Sequence, residues 1–218
     1  MIISGDNELT GKPAICIIMA TLLEAKPFIK NLKLKKTGQE SFDQFADNNI
    51  HLIISSIGKT NAAVAATYCC REAHPDCVVN MGAAGATDHS HPVGAIFHID
   101  RIIEYDRPRF FTGKPFVHKP DRLKGFSIAS LASGDRPVIE PEDRKVVSAQ
   151  ASLVDMEAAA VVQTCKIFQT PCYVFKFVSD VPGHTHVTGI LKNIRKYRGA
   201  LFDFFMEEIV PKIKTGTS

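Results

Sequence analysis

Seven short apolar or β-branched runs punctuate the chain, at residues 14–20, 50–55, 77–82, 95–105, 126–132, 152–156 and 172–178. Their lengths, and the Gly, Pro and polar residues between them, predict strands. Three stretches follow the helical period instead. Residues 60–73 are rich in Ala, with Thr60 placed to cap them, and residues 157–168 run up to Pro171 as their stop. Residues 189–209 carry Ile190, Ile194, Leu201, Phe205 and Ile209 close to helical spacing, with Thr188 as cap and Pro211 beyond the end. Several strands are apolar throughout rather than alternating, the mark of a sheet covered on both faces. Helices interleaved with such strands predict an α/β fold in a single domain, residues 1–218. Residues 107–124 break the rhythm. Pro108, Pro115 and Pro120 among Phe110, Phe111 and Phe116 predict a long irregular loop, and loops of that length tend to be functional.

Composition narrows the class. The 218 residues hold 26 Lys and Arg against 23 Asp and Glu, a formal charge of +3, with 45% hydrophobic residues, 22% charged residues and no Trp. That balance excludes a disordered or low-complexity chain. It is too small to demand a nucleic-acid or anionic-membrane partner, and no apolar run reaches the roughly 18 residues of a membrane span. Residues 1–12 contain Asp6 and Glu8 and lack the basic start and apolar core of a secretion signal, so a cytoplasmic protein is expected. Cys16, Cys69, Cys70, Cys77, Cys165 and Cys172 sit mostly in apolar runs without CxxC spacing, which predicts buried, reduced thiols and no zinc site. His89/His91 and His184/His186 form HxH pairs in polar stretches with no carboxylate at ligand spacing, so no metal is expected there. The second pair follows the Ser179-Asp180 motif closely enough to line the same pocket.

The run VVNMGAAGA (residues 78–86) reads as a buried strand entering a small-residue loop. Ala83, Ala84 and Gly85 would let a ligand approach backbone N–H groups. The run is neither GxGxxG nor a P-loop, and a tight packing turn explains it as well. Carboxyl groups stand at three strand ends. Glu24 lies in IIMATLLEA (17–25). A capping box Thr21-x-x-Glu24 would put Pro27 at the sixth helical position, costing about 3 kcal/mol. A helix starting near Glu24 instead puts Pro27 in the first turn and leaves Glu24 facing the carboxyl end of the sheet. Asp155 and Glu157 flank Met156 where a strand hands over to an Ala-rich helix. Both charges suit a helix N-terminus, or, two apart on a strand, one common face. Ser179-Asp180 ends a continuous apolar strand before Pro182-Gly183. A turn role competes there with an acid kept protonated by the desolvating Phe175, Phe177 and Val178.

These runs, in order with SSIGKTNAA (55–63), VGAIFHIDRIIEYD (93–106), ASGD (132–135) and VDMEAAAVVQTCKIFQTPCYVFKFVSDV (154–181), make the chain resemble the 5′-methylthioadenosine/S-adenosylhomocysteine nucleosidases of the purine nucleoside phosphorylase/uridine phosphorylase superfamily. The resemblance spans residues 14–209. It implies a three-layer α/β/α fold around a twisted mixed central sheet, no cofactor, a homodimer, and hydrolysis of the bond between a purine and C1′ of ribose in a small nucleoside. By the same resemblance Glu24 activates the attacking water, and Asp180 protonates the departing purine at N7 with Ser179 orienting it. Glu157 holds the ribose hydroxyls beside Met156, the Ala83-Ala84-Gly85 backbone lines the site, and Asp135 and Val138 contact the base. The residue types suit the chemistry. N-glycosides leave through an oxocarbenium-like state, and one protonated and one ionised carboxyl group serve the leaving base and the water, each contributing about 10²–10⁴-fold.

The chain departs from the family pattern at several points. Phosphorylases of the superfamily carry an Arg before the third-strand loop and a Ser or Thr within it. Residues 79–85 have neither, which favours water over phosphate. The loop's usual Ser is Ala83, Pro137 stands where an aromatic stacks on adenine, and Lys176 replaces an Arg that makes bidentate contacts. Arg136 is placed to pair with Asp135. A futalosine hydrolase, a phosphate-dependent phosphorylase and a non-catalytic nucleoside-binding relative are the alternatives.

Overall fold

The computed structural model describes residues 15–38, 42–47, 49–184 and 186–215. Residues 1–12, read above for a targeting signal, and Ala14 lie outside the described residues. In chain order the elements are β1 (Ile15–Met19), α1 (Leu22–Asn31), β2 (Lys35–Gly38), β3 (Asp43–Ala46), β4 (Ile50–Ile54), α2 (Lys59–Tyr68), β5 (Cys77–Ala86), β6 (Ile96–Pro108), β7 (Pro115–His118), β8 (Ile128–Ser133), α3 (Pro141–Ser148), β9 (Leu153–Asp155), α4 (Ala158–Ile167), β10 (Cys172–Asp180), α5 (Val187–Phe204) and α6 (Val210–Thr215).

The strands form one mixed sheet in the order β10-β6-β8-β9-β5-β1-β4-β3-β2, with β7 beside β6. β10 also pairs with β5, in parallel along most of its length. The strands β5, β10, β6, β8 and β9 therefore close on one another, while β1, β4, β3 and β2 extend from β5 as an open wing. Helices cover both faces, as the unbroken apolar strands require. On β1, Cys16 and Ile18 pack toward Ala62 and Ala65 of α2 and Val161 of α4. The alternate residues Ile15, Ile17 and Met19 pack toward Phe28 of α1 and Leu201 of α5. Consecutive strand side chains point to opposite faces, so both sets must be apolar.

Several boundaries differ from the sequence reading. The small-residue run after Met81 is not a loop: β5 continues through Gly82–Ala86 because β10 hydrogen-bonds alongside it. α2 starts at Lys59 behind Gly58, whose φ of +105° favours glycine, so Thr60 lies inside the helix rather than capping it. α5 starts at Val187 behind His186, not at Thr188. Pro211 does not stop it. The backbone widens to a π-type turn over Phe205–Ile209, the Val210 N–H bonds to the Phe205 carbonyl, and Pro211 enters the first turn of α6, where its missing donor is harmless. Much of the expected loop at 107–124 is a hairpin, β6 running on to Pro108 and returning as β7. Cys70, Cys77, Cys165 and Cys172 are buried free thiols as expected, and buried Cys16 of β1 and Cys69 at the end of α2 bring their sulfur atoms together. Among the described residues no helix is long and apolar enough to cross a membrane.

Candidate active site

The β5–β10 pair sets the frame of the site. Lys176 lies opposite Gly82, Phe177 opposite Ala83, Val178 opposite Ala84, and, after a bulge, Asp180 opposite Gly85. Three residues of strand separate the Gly82 end from the Gly85 end, roughly 10 Å.

Glu24 serves the first end. Its Oε1 accepts the Ala83 N–H at 2.8 Å, and its Oε2 accepts the Thr21 N–H at 3.1 Å and the Thr21 hydroxyl at 2.6 Å. The capping box is therefore present, with Thr21 as N-cap and Leu22 opening α1, contrary to the register preferred from sequence. The objection to that register was Pro27, whose ring leaves the Leu23 carbonyl without its helical donor. Arg198 of α5 supplies one, its Nη1 reaching the Leu23 oxygen at 2.7 Å, so tertiary contact removes much of the local penalty. Gly82 is required here. A Cβ on it would stand 2.7 Å from Glu24 Oε1, and its φ is +157°.

Asp155 and Glu157 both lie close to Lys176, but each keeps its own hydrogen-bond partners. Asp155 accepts the Ala158 N–H at 3.0 Å, capping α4, together with the Ser133 hydroxyl at 2.5 Å and Lys176 Nζ at 2.8 Å. Glu157 accepts the Gly58 N–H at the start of α2, at 2.9 Å. Half-buried Met156 lies between them. Burial, reinforced by Asp155, pushes the Glu157 carboxyl up from its ordinary 4.5 to about 7, with Lys176 and the Gly58 N–H acting against the rise. Lys176 is fully buried. Burial alone would lower it, but Asp155, Glu157 and Glu24 outweigh that and hold it above its ordinary value. One ammonium thus serves three carboxyl groups.

Asp180 is 4% exposed at the other end. Ser179 Oγ donates to its Oδ1 at 2.5 Å and also lies 3.2 Å from the Ala84 carbonyl. Apolar neighbours alone do not govern this carboxyl group, as the sequence suggested. Arg144 of α3, 2% exposed, pairs with Oδ2 and also holds the Ala86 carbonyl. Sequence reasoning missed Arg144 and α3 altogether. The one available signal was its spacing of three from buried Val147, which puts both on one helical face.

The remaining candidates lie at the margins. Asp135 is exposed on 62% of its side chain and pairs with Lys59, whose N–H it accepts at 3.3 Å and whose Nζ lies 3.4 Å away. Arg136 turns to Asp143 at 3.6 Å instead. Val138 is buried among Ala132, Val147, Ala151 and Val154, which makes it a wall residue with no exposed face. Lys59 also binds Asp106 at 2.7 Å and Glu104 at 3.3 Å. Burial would raise Glu104, but Arg107, His118 and Lys59 hold it below the ordinary carboxylate range. His184 and His186 line an open cavity of about 560 Å³ with Lys192, Asn193 and Lys196. Asn193 ties that cavity to the site by donating to the Ser179 carbonyl at 2.8 Å.

Comparison with known proteins follows the same lines. The family model described as the phosphorylase superfamily matches residues 14–128 and 129–209. The 5′-methylthioadenosine/S-adenosylhomocysteine nucleosidase of Bacillus velezensis is 30% identical over 191 residues, 75% of this chain and 81% of the relative. That of Lysinibacillus sphaericus is 32% identical over 164 residues, 64% and 71% of the two chains. The Helicobacter pylori nucleosidase solved with butyl-thio-DADMe-Immucillin-A superposes with a TM-score of 0.79 at 18% identity, over 90% of this chain and 97% of that one. A futalosine hydrolase mutant of the same species gives 0.78 at 18% identity, over 89% and 97%. The last two speak for the fold, a central mixed sheet between helices. The chain belongs to the phosphorylase superfamily, as a member of the methylthioadenosine/adenosylhomocysteine nucleosidase type.

Proposed function

We propose that the protein hydrolyses the N-glycosidic bond of a purine nucleoside of the methylthioadenosine or adenosylhomocysteine kind, releasing free base and the ribose derivative. The observation that carries this reading is the pair of buried carboxyl groups, Glu24 of α1 beside Gly82 and Asp180 at the end of β10, set along one strand pair. Every donor around Glu24 points at a carboxylate oxygen, which suits an acceptor for a water proton. Water oxygen bonds to C1′, the C1′–N9 pair of electrons leaves with the purine, Glu24 takes the water proton, and Asp180 delivers one to N7. Glu157 receives the ribose hydroxyls beside Met156. The carboxylate-rich Gly82 end then stabilises positive charge developing on the sugar.

Phosphate is poorly served as a nucleophile. The first N–H groups of α2, an anion site in principle, are engaged by Glu157 and Asp135, and β5 carries no arginine or hydroxyl facing the sugar. The test is base release from methylthioadenosine, adenosylhomocysteine, futalosine, inosine and adenosine, with and without phosphate. Release that needs no phosphate, and is lost in Asp180→Asn, supports the reading. Strict phosphate dependence makes the protein a phosphorylase, and binding without release makes it a non-catalytic relative.

The proposal includes a homodimer. Phe110 and Phe111, 93% and 94% exposed at the tip of the β6–β7 hairpin, are rings a second copy would cover, and sedimentation of Phe110→Asp against wild type tests it. The cytoplasmic setting expected from composition is kept as part of the proposal, and cell fractionation tests it.

A further inference from the structure

Lys59 is a largely buried cation, its side chain 12% exposed, that the reaction above does not use. Its Nζ lies 2.7 Å from Asp106 Oδ1, 3.3 Å from Glu104 Oε2 and 3.4 Å from Asp135 Oδ2. Burial alone would lower the ammonium, but Asp106, Asp135 and Glu104 together hold it above its ordinary value. Each acceptor is itself fixed. Glu104, buried on β6, also takes Arg107 Nε at 2.9 Å and lies 2.8 Å from His118 Nε2. Asp106 Oδ2 accepts the Asp135 N–H at 2.6 Å, which joins β6 to the segment after β8.

The backbone of Lys59 carries this anchorage toward the sugar. Lys59 opens α2 directly after Gly58, and its own N–H donates to Asp135 Oδ1 at 3.3 Å. The turn before it is unusual, with Ser56 at a φ of +67° and Gly58 at +105°. A Cβ on Gly58 would meet nothing within 4 Å, so packing around Gly58 does not hold the turn. Asn61 Nδ2 closes it on the Ile57 carbonyl at 2.8 Å, and Lys59 ties it to β6. The Gly58 N–H held in this way is the donor to Glu157 Oε1 at 2.9 Å. The Met156 N–H, 3.3 Å from Oε2, comes from the adjoining residue. Glu157 therefore takes its long-range hydrogen bond from the backbone that Lys59 anchors.

We infer that Lys59 is a positioning residue for ribose recognition, which aims the Glu157 carboxyl group at the ribose hydroxyls through the Gly58 N–H. This inference rests on the nucleosidase reading given above, in which Glu157 receives those hydroxyls. The test compares 5′-methylthioadenosine with its 2′-deoxy counterpart in wild type, Lys59→Met and Asp106→Asn. The readout is the ratio of kcat/KM for the two nucleosides, variant against wild type, so that the different intrinsic lability of the two glycosides cancels. Lys59→Met should lower the preference for the ribose compound about tenfold, and Asp106→Asn about threefold. A lysine that only supported the fold would slow both nucleosides alike, so a ratio unmoved in Lys59→Met overturns the inference. If Lys59→Met fails to fold, Asp106→Asn decides, a lowered ratio supporting the inference and an unmoved one overturning it. If wild type cleaves neither nucleoside, the nucleosidase reading fails by itself, and calorimetric Kd values for the same pair supply the ratio. Binding of neither nucleoside overturns the inference as well.

Discussion

Two points along the β5–β10 pair, Gly82 and Gly85, handle buried carboxyl groups in opposite ways. At the Gly82 end, Glu24, Asp155 and Glu157 share one buried ammonium, Lys176. At the Gly85 end, Asp180 has a buried guanidinium to itself. The first has more carboxyl groups than cations, and the second has one of each. In the proposed reaction the sugar, which gains positive charge, belongs at the first, and the base, which must be neutralised as it leaves, belongs at the second. The backbone of two strands therefore holds a gradient of charge along roughly 10 Å.

Breaking the shared cation should have the largest effect. Lys176→Met leaves Asp155 and Glu157 buried without their counter-charge, and should cost about 3–5 kcal/mol in stability. Urea denaturation measures it, and a loss under about 1 kcal/mol would contradict the shared-cation picture. Glu24→Gln keeps an acceptor for the Ala83 N–H but removes the base, so kcat should fall by about 10²–10⁴-fold with little change in melting temperature. An unaltered rate would return Glu24 to a purely capping role. Arg198→Met takes the donor from the Leu23 carbonyl under Pro27 and should cost about 1–3 kcal/mol. A neutral result would mean that the Leu23 carbonyl is satisfied by water.

The smallest effect is a pH slope. Glu157 is raised from 4.5 to about 7 in the fold, so the folded state holds its proton more tightly than the unfolded chain. Its contribution to stability is complete below about pH 4.5 and is lost as pH rises to about 7. The permanently neutral Glu157→Gln should gain on wild type in melting temperature across that window and not beyond it. A difference constant with pH would remove Glu157 as the source.

Much of this site was legible because strand ends are marked in sequence by a change from apolar to acidic residues. Glu24, Glu157, Ser179 and Asp180 could each be picked out as candidates that way, and the two-faced burial of β1 was written in its unbroken run of apolar residues. What could not be read was long-range. Nothing near Pro27 announces that Arg198 will satisfy Leu23, and local cost alone pointed to the wrong helix start. Nothing near Met81 says that β10 will extend β5 through five small residues. Arg144 sits in a short, charged helix that reads as solvated surface, and only its tertiary partner Asp180 makes it part of the site. Asp135 shows the converse. Its motif gives no sign that Lys59 pairs with its exposed side chain.

The central claim is that water, activated beside Glu24, attacks C1′. Base release in phosphate-free buffer made with ¹⁸O water tests it most directly, by mass spectrometry of the sugar product. The account predicts one solvent oxygen at C1 of the ribose derivative, at a rate that added phosphate leaves unchanged. A sugar 1-phosphate formed only when phosphate is present, with no release in its absence, would contradict it.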